Sequence, residues 1–101
     1  MKKILITGAS GFIGKSLVND LKEDNFKIYC YSSKDRDITQ QKTWNKMPSA
    51  DYLIHLAAKT FVPKSWKNPK NFIYVNSSSL INAIQYCKKN KCKLIYLSSF
   101  I

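Results

Sequence analysis

Thr7-Gly8-Ala9-Ser10-Gly11-Phe12-Ile13-Gly14 is the stretch whose reading decides the fold. Before it, Lys3 to Thr7 (KILIT) is a short β-branched and leucine-containing run, as a parallel strand buried on both faces would be. After it, Phe12, Ile13, Leu17, Val18 and Leu21 recur at helical spacing, with Lys15, Asn19, Lys22 and Glu23 opposite, up to a stop near Asp24-Asn25. Three glycines spaced by three let the backbone turn tightly at Gly8, approach a pyrophosphate at Gly11, and pack helix against strand at Gly14. An anion there would meet the unpaired N–H groups and positive dipole end of the helix.

Lys27 to Tyr31 (KIYCY) supplies a second strand, so strand, glycine turn, helix and strand fit within about thirty residues. At the tip of that strand an acid would pair with a ribose 2′-hydroxyl. Ser32, Ser33 and Lys34 stand there instead, with Arg36 beyond, and hydroxyls plus a cation suit a 2′-phosphate. This favours NADP over NAD, the competing reading being that Lys34 and Arg36 are solvated loop charges.

Asp37-Ile38 is a candidate short edge strand, and Thr39 to Lys46 a short helix capped by Thr39 and anchored by Trp44, with Met47-Pro48-Ser49 as its break. Asp51 to Leu56 (DYLIHL) reads as a further buried strand and runs into Ala57-Ala58, small residues at the end of the sheet where ligands bind. Within it, His55 reads as a packed core histidine, no Cys, Ser or acid being spaced to use it. Lys59 to Asn68 would line an anionic site or connect elements through solvent. A long helix should start at Pro69 with an apolar face of Phe72, Val75, Leu80, Ala83, Ile84 and Cys87, stopping at Lys88-Lys89-Asn90-Lys91. Lys93 to Leu97 (KLIYL) is the last strand, before Ser98-Ser99-Phe100-Ile101.

The expected architecture is α/β: a doubly wound parallel sheet, Rossmann-like, in the order 3-2-1-4-5, its third strand short or absent, with helices on both faces. The 101 residues, 45% of them hydrophobic, suffice for one small domain over 1–101. Lys and Arg number 17 against 6 Asp and Glu, a net charge of +11. The lysines are scattered and no nucleic-acid-binding motif accompanies them, so no nucleic-acid partner is expected. Cys30, Cys87 and Cys92 are odd in number and lack C-x-x-C spacing, so neither a disulfide framework nor a metal site follows. The start Met1-Lys2-Lys3 runs straight into the first strand, which suggests neither a signal peptide nor a membrane partner, and a cytoplasmic setting.

Four segments agree in order and spacing with one family: TGASGFIG at 7–14, DITQ from Asp37, DYLIHLAA from Asp51, and the Val75-Asn76 helix followed by KLIYLSS from Lys93. Together they resemble the extended short-chain dehydrogenase/reductase family, NAD(P)-dependent epimerases, dehydratases and reductases acting mostly on nucleotide sugars. The resemblance implies that Gly8, Ser10, Gly11, Phe12, Ile13 and Gly14 hold the pyrophosphate and that Asp37 and Ile38 contact adenine. It implies that Leu56, Ala57, Ala58 and Lys59 flank the ribose and nicotinamide, that Asn76 floors the site, and that Ser99, beside Ser98 on the cofactor side, is the catalytic hydroxyl. A complete protein of this kind is expected to be a homodimer that takes a nucleotide-sugar substrate.

Two departures qualify the resemblance. Ser79-Leu80 stands where the family places a Gly-Thr pair, which bears on how that helix packs. The family's Y-x-x-x-K pair is absent: Tyr29, Tyr31, Tyr52, Tyr74, Tyr86 and Tyr96 all lack a lysine four residues on. The chain therefore reads as the cofactor-binding part of such an enzyme, incomplete at its C-terminal end and inactive alone, the alternative being a non-catalytic NADP(H)-binding or sensing module. The last strand would then be an edge beside a partly bare sheet face, favouring self-association.

Overall fold

A computed structural model of the chain describes residues 2–9, 12–31, 38–56 and 69–96. The elements run β1 (Lys3–Thr7), α1 (Phe12–Lys22), β2 (Lys27–Tyr31), α2 (Gln41–Asn45), β3 (Tyr52–His55), α3 (Pro69–Asn90) and β4 (Lys93–Tyr96). All strand pairings are parallel and the order is β2-β1-β3-β4. That is the expected winding, with no strand at Ile38 among the described residues. Ile38 and Thr39 instead form a turn, and Asp37 lies outside the described residues.

Alternation along the strands sends two sets of side chains to opposite faces. On one face Leu5 and Leu53, with Tyr29, Tyr31 and Leu94 at the margin, pack against Ile38, Trp44, Met47, Ala83, Tyr86 and Cys87 from the α2 and α3 side. On the other, Ile4, Ile6 and Ile54 meet Leu17, Val18 and Leu21 of α1 and Phe26 behind it. Since β1 lies between β2 and β3 and is covered on both faces, everything in it after Lys3 is buried, as its apolar sequence requires. Ile95, next in the row after Ile6 and Ile54, is 50% exposed, and β4 is an edge of the described sheet.

The ends of the helices show what each residue type contributes. α3 ends with Lys91 at φ 52, while the Cys92 N–H donates to the Cys87 carbonyl at 2.9 Å, the closing bond of a left-handed helix cap. Lys88 and Lys89 in its last turn suit the negative dipole end. α2 is capped by Gln40 rather than Thr39, and Gln40 makes no side-chain capping bond. Trp44 compensates: it is 4% exposed and its Nε1–H donates to the Ile38 carbonyl at 2.8 Å, so tertiary packing holds a helix too short to hold itself.

The buried face of α3 is Ser79, Ala83, Tyr86 and Cys87, which corrects the expected stripe at one position. Ile84 is exposed, since it follows Ala83 and is turned about 100° around the helix from it. Leu80 and Val75 are half-buried, and the side chain of Phe72 lies outside those described. Ser79, fully buried, supplies the small residue that the packing needs, and its hydroxyl donates to the Asn76 carbonyl at 3.2 Å. Every lysine among the described residues is exposed.

Candidate functional site

In a parallel sheet all strands end at the same edge, and here that edge carries the glycine turn. Gly8 has φ 75, in the left-handed region that favours glycine. Its N–H donates to the Tyr31 carbonyl at 2.9 Å, and that of Ala9 to the same carbonyl at 3.2 Å, so the turn is tied to the tip of β2. Gly14, in the first turn of α1, is packed onto it: a Cβ there would lie 2.5 Å from the Gly8 carbonyl oxygen and 2.8 Å from the Ala9 Cα. The helix can approach the turn only because position 14 has no side chain.

Of the other residues singled out in the sequence, Ile13 is exposed on α1, and Phe12 opens that helix through its backbone. Leu56 follows β3, half-buried, with its N–H donating to the Thr7 carbonyl at 3.0 Å. Asn76 is half-buried on α3. Ile38 faces the core, and its carbonyl accepts from Trp44 and, at 3.3 Å, from Asn82 Nδ2, which also reaches the Thr39 carbonyl at 3.0 Å. The structure thus gathers Gly8, Gly14 and Leu56 at the carboxyl edge and keeps the side chain of Ile38 inside. Ser10, Gly11, Ser32, Ser33, Lys34, Asp37, Ala57, Ala58, Lys59, Ser98 and Ser99 lie outside the described residues.

A row of side chains crosses the sheet just beneath that edge: Tyr31, Thr7, His55 and Tyr96, one from each strand in register. Thr7 and His55 are fully buried, with Oγ1 and Nδ1 2.7 Å apart. The imidazole stacks on Tyr96, centroids 5.8 Å apart at 22°, and meets Trp44 at 6.0 Å. Burial lowers the pKa of His55 from its ordinary value to about 4, so the ring is neutral. The sequence reading of His55 as a core residue holds for its burial but missed its partner, because nothing local marks a contact between residues 48 positions apart.

This arrangement defines a class: a doubly wound parallel α/β domain with a glycine turn feeding a helix N-terminus, the form in which such folds receive a phosphate-bearing ligand. The chain belongs to the NAD dependent epimerase/dehydratase family, whose model matches residues 4–100. A GDP-6-deoxy-D-talose 4-dehydrogenase of Aggregatibacter actinomycetemcomitans is 38% identical over 82% of this chain and 29% of its own. A GDP-L-colitose synthase of Yersinia pseudotuberculosis is 31% identical over 96% of this chain and 33% of its own. Among solved structures, a dTDP-4-dehydrorhamnose reductase from Bacillus anthracis in complex with NADP superposes with a TM-score of 0.89 at 28% identity, covering 96% of this chain and 36% of that one. The chain therefore spans about a third of the length of these relatives. Among the described residues no helix is long and apolar enough to cross a membrane.

Proposed function

We propose that these residues form the dinucleotide-binding part of an NAD(P)-dependent epimerase, dehydratase or reductase acting on a nucleotide sugar. The observation that carries this reading is the contact of α1 with the glycine turn. A Cβ at position 14 would overlap the Gly8 carbonyl, and Gly8 itself has a left-handed φ. Sheet packing alone would be satisfied by a longer loop and an alanine. A helix N-terminus brought this close to the strand end is what a pyrophosphate requires. Family membership and the NADP in the Bacillus anthracis neighbour support the same reading.

In this reading Gly8, Ser10, Gly11, Phe12, Ile13 and Gly14 cradle the pyrophosphate. Leu56 to Lys59 flank the ribose and nicotinamide, and Asn76 lies at the floor. Ile38 acts through its main chain, since its side chain is in the core. Ser32, Ser33 and Lys34 favour NADP by offering hydroxyls and a cation to a 2′-phosphate. When bound, the nicotinamide supplies or accepts a hydride. The accompanying proton needs a donor or acceptor on protein, a contribution of about a hundred- to ten-thousandfold. Ser99 can hydrogen-bond the substrate oxygen, but no tyrosine in the 101 residues has a lysine four positions on, so turnover by these residues alone is not expected.

Calorimetric titration with NADPH and then NADH at fixed salt tests the reading. Binding of either, tighter for NADPH, is the expected result. Equal or tighter NADH binding would return Ser33 and Lys34 to the loop surface, and binding of neither would overturn the assignment for this chain.

A further inference from the structure

The cap that ends α3 brings two thiols together. The Cys92 N–H reaches back to the Cys87 carbonyl at 2.9 Å, and Lys91 between them carries the left-handed φ of 52. A bond of that span, closed by a left-handed residue, returns the chain by about one helical pitch, so the two Cα atoms stand roughly 5–6 Å apart. Disulfides bridge Cα separations of about 4.4–6.8 Å. In a cap of this kind the side chains at the two ends of the closing bond ordinarily meet in an apolar contact. Here those side chains are Cys87 and Cys92, both buried in the same core and within hydrogen-bonding reach of each other. The Cys92 thiol also donates to the Lys93 carbonyl, but at 3.7 Å that bond is long and its loss costs little. A spacing of five residues carries no disulfide signature in the sequence; the cap supplies the proximity.

The charges around the pair suit oxidation. Lys88, Lys89, Lys91 and Lys93 flank the two cysteines, all four are exposed, and no acid follows Asp51 in the chain. Whenever this core opens, the thiols therefore emerge among positive charges, which favour the thiolate and draw an anionic reagent. We propose that Cys87 and Cys92 are a redox-sensitive staple, oxidised by an anionic low-molecular-weight disulfide to an intramolecular disulfide that locks the end of α3 to the start of β4. One thiolate attacks the reagent, forming a mixed disulfide and releasing one reagent thiol. The second thiolate attacks the protein sulfur of that mixed disulfide, closing the Cys87–Cys92 bond and releasing the other. The pair loses two electrons, the reagent gains them, and the two cysteine protons end on the two released thiols. Since both cysteines are buried, the exchange runs in the opened chain, and the product is kept on closure because the cap holds the two side chains in contact. The staple encloses only Lys88 to Lys91, so it acts at the amino end of the sheet and leaves the glycine turn at the opposite edge alone.

The test uses the whole chain carrying Cys30→Ser, which leaves only these two thiols, in glutathione buffers of graded oxidised-to-reduced ratio. Equilibrium is approached both from the folded, reduced chain and by refolding from denaturant in the same buffer. Peptide mass spectrometry should find a Cys87–Cys92 disulfide, lighter by two hydrogens, in oxidising buffer and its loss in reducing buffer. The oxidised chain should have a thermal midpoint several degrees above the reduced one, and amide exchange at Cys92 should slow about tenfold. Cys87→Ala and Cys92→Ala in the same background should lose the rise in midpoint. Glutathione adducts in place of the internal disulfide, or a chain that stays reduced along both routes, would overturn the proposal. So would an oxidised chain no more stable than the reduced one, or a rise that persists in either alanine variant.

Discussion

The Gly8 carbonyl oxygen stands 2.5 Å from where a side chain at position 14 would begin, so these two glycines are held in contact by the absence of an atom. The neighbours of that missing Cβ are all backbone, from Gly8 and Ala9, and no rotamer change can relieve the overlap. Gly14→Ala must therefore push α1 away from the turn. Overpacking of this kind costs about 1–3 kcal/mol, against a helix-propensity gain of about 1 kcal/mol for replacing glycine. The expected net effect is a lower denaturation midpoint, together with a loss of dinucleotide affinity of about tenfold or more. Denaturant unfolding and calorimetry on the same samples would measure both. A variant as stable as the parent would show that the helix can retreat without strain.

His55 makes stability depend on pH in a defined direction. In the unfolded chain its pKa is near the ordinary 6.5, and in the fold it is about 4, so between these values the unfolded chain binds more protons. The stabilising effect of the neutral ring is present in full above about pH 6.5 and is lost as the pH falls through 4. Among the described residues the groups facing the ring are Thr7, Trp44 and Tyr96, and none of these offers a negative charge to hold the imidazolium. The loss should be on the order of 3 kcal/mol across that window. Equilibrium unfolding of the parent chain and His55→Asn at several pH values would isolate it, the variant giving the flatter profile. Parallel profiles would exclude His55 as the source.

How much of this was legible in the sequence follows from which features are local. The strands at Lys3–Thr7, Lys27–Tyr31 and Tyr52–His55 and the long helix from Pro69 were readable because apolar runs, glycines and proline act on their own neighbourhoods. So was the glycine turn, since the left-handed φ of Gly8 and the close packing of Gly14 belong to a motif of eight residues. The short helix was found but its cap was not, because Trp44 and the Ile38 carbonyl hold it from outside. The outward turn of Ile84 depended on which side of α3 met the sheet, which helix periodicity leaves open by about one residue. The Thr7–His55 tie needed the strand register.

Lys91 offers a stabilising change. It carries the left-handed conformation at the end of α3 with a side chain that disfavours it, whereas glycine adopts φ 52 without the clash. Its side chain is exposed. Lys91→Gly should therefore stabilise the fold by roughly 0.5–1 kcal/mol, the relief of the left-handed clash exceeding the extra chain entropy of glycine. The thermal midpoint should rise by several degrees for a domain of this size. A fall would mean that the lysine charge at the helix C-terminus outweighs the backbone effect.

The three cysteines should differ in reactivity chiefly according to burial. Cys30 is exposed on β2, while Cys87 and Cys92 are buried on the α3 side of the sheet. Burial pushes the thiol pKa of Cys92 up to about 12 and raises that of Cys87, so neither supplies thiolate near neutrality. Burial also raises Cys30, opposed by the nearby Lys22 charge. With an aromatic disulfide reagent at pH 8, one thiol should react in the folded chain, slowly for an exposed cysteine, and the other two only on unfolding. Cys30→Ser should remove the folded-state reaction. The residual rate, attributable to Cys87 and Cys92, should then follow the opening of the sheet–α3 core, rising with denaturant as the unfolded population rises. A rapid second reaction in native buffer would show that the end of α3 opens independently of the rest, despite the bond from the Cys92 N–H to the Cys87 carbonyl.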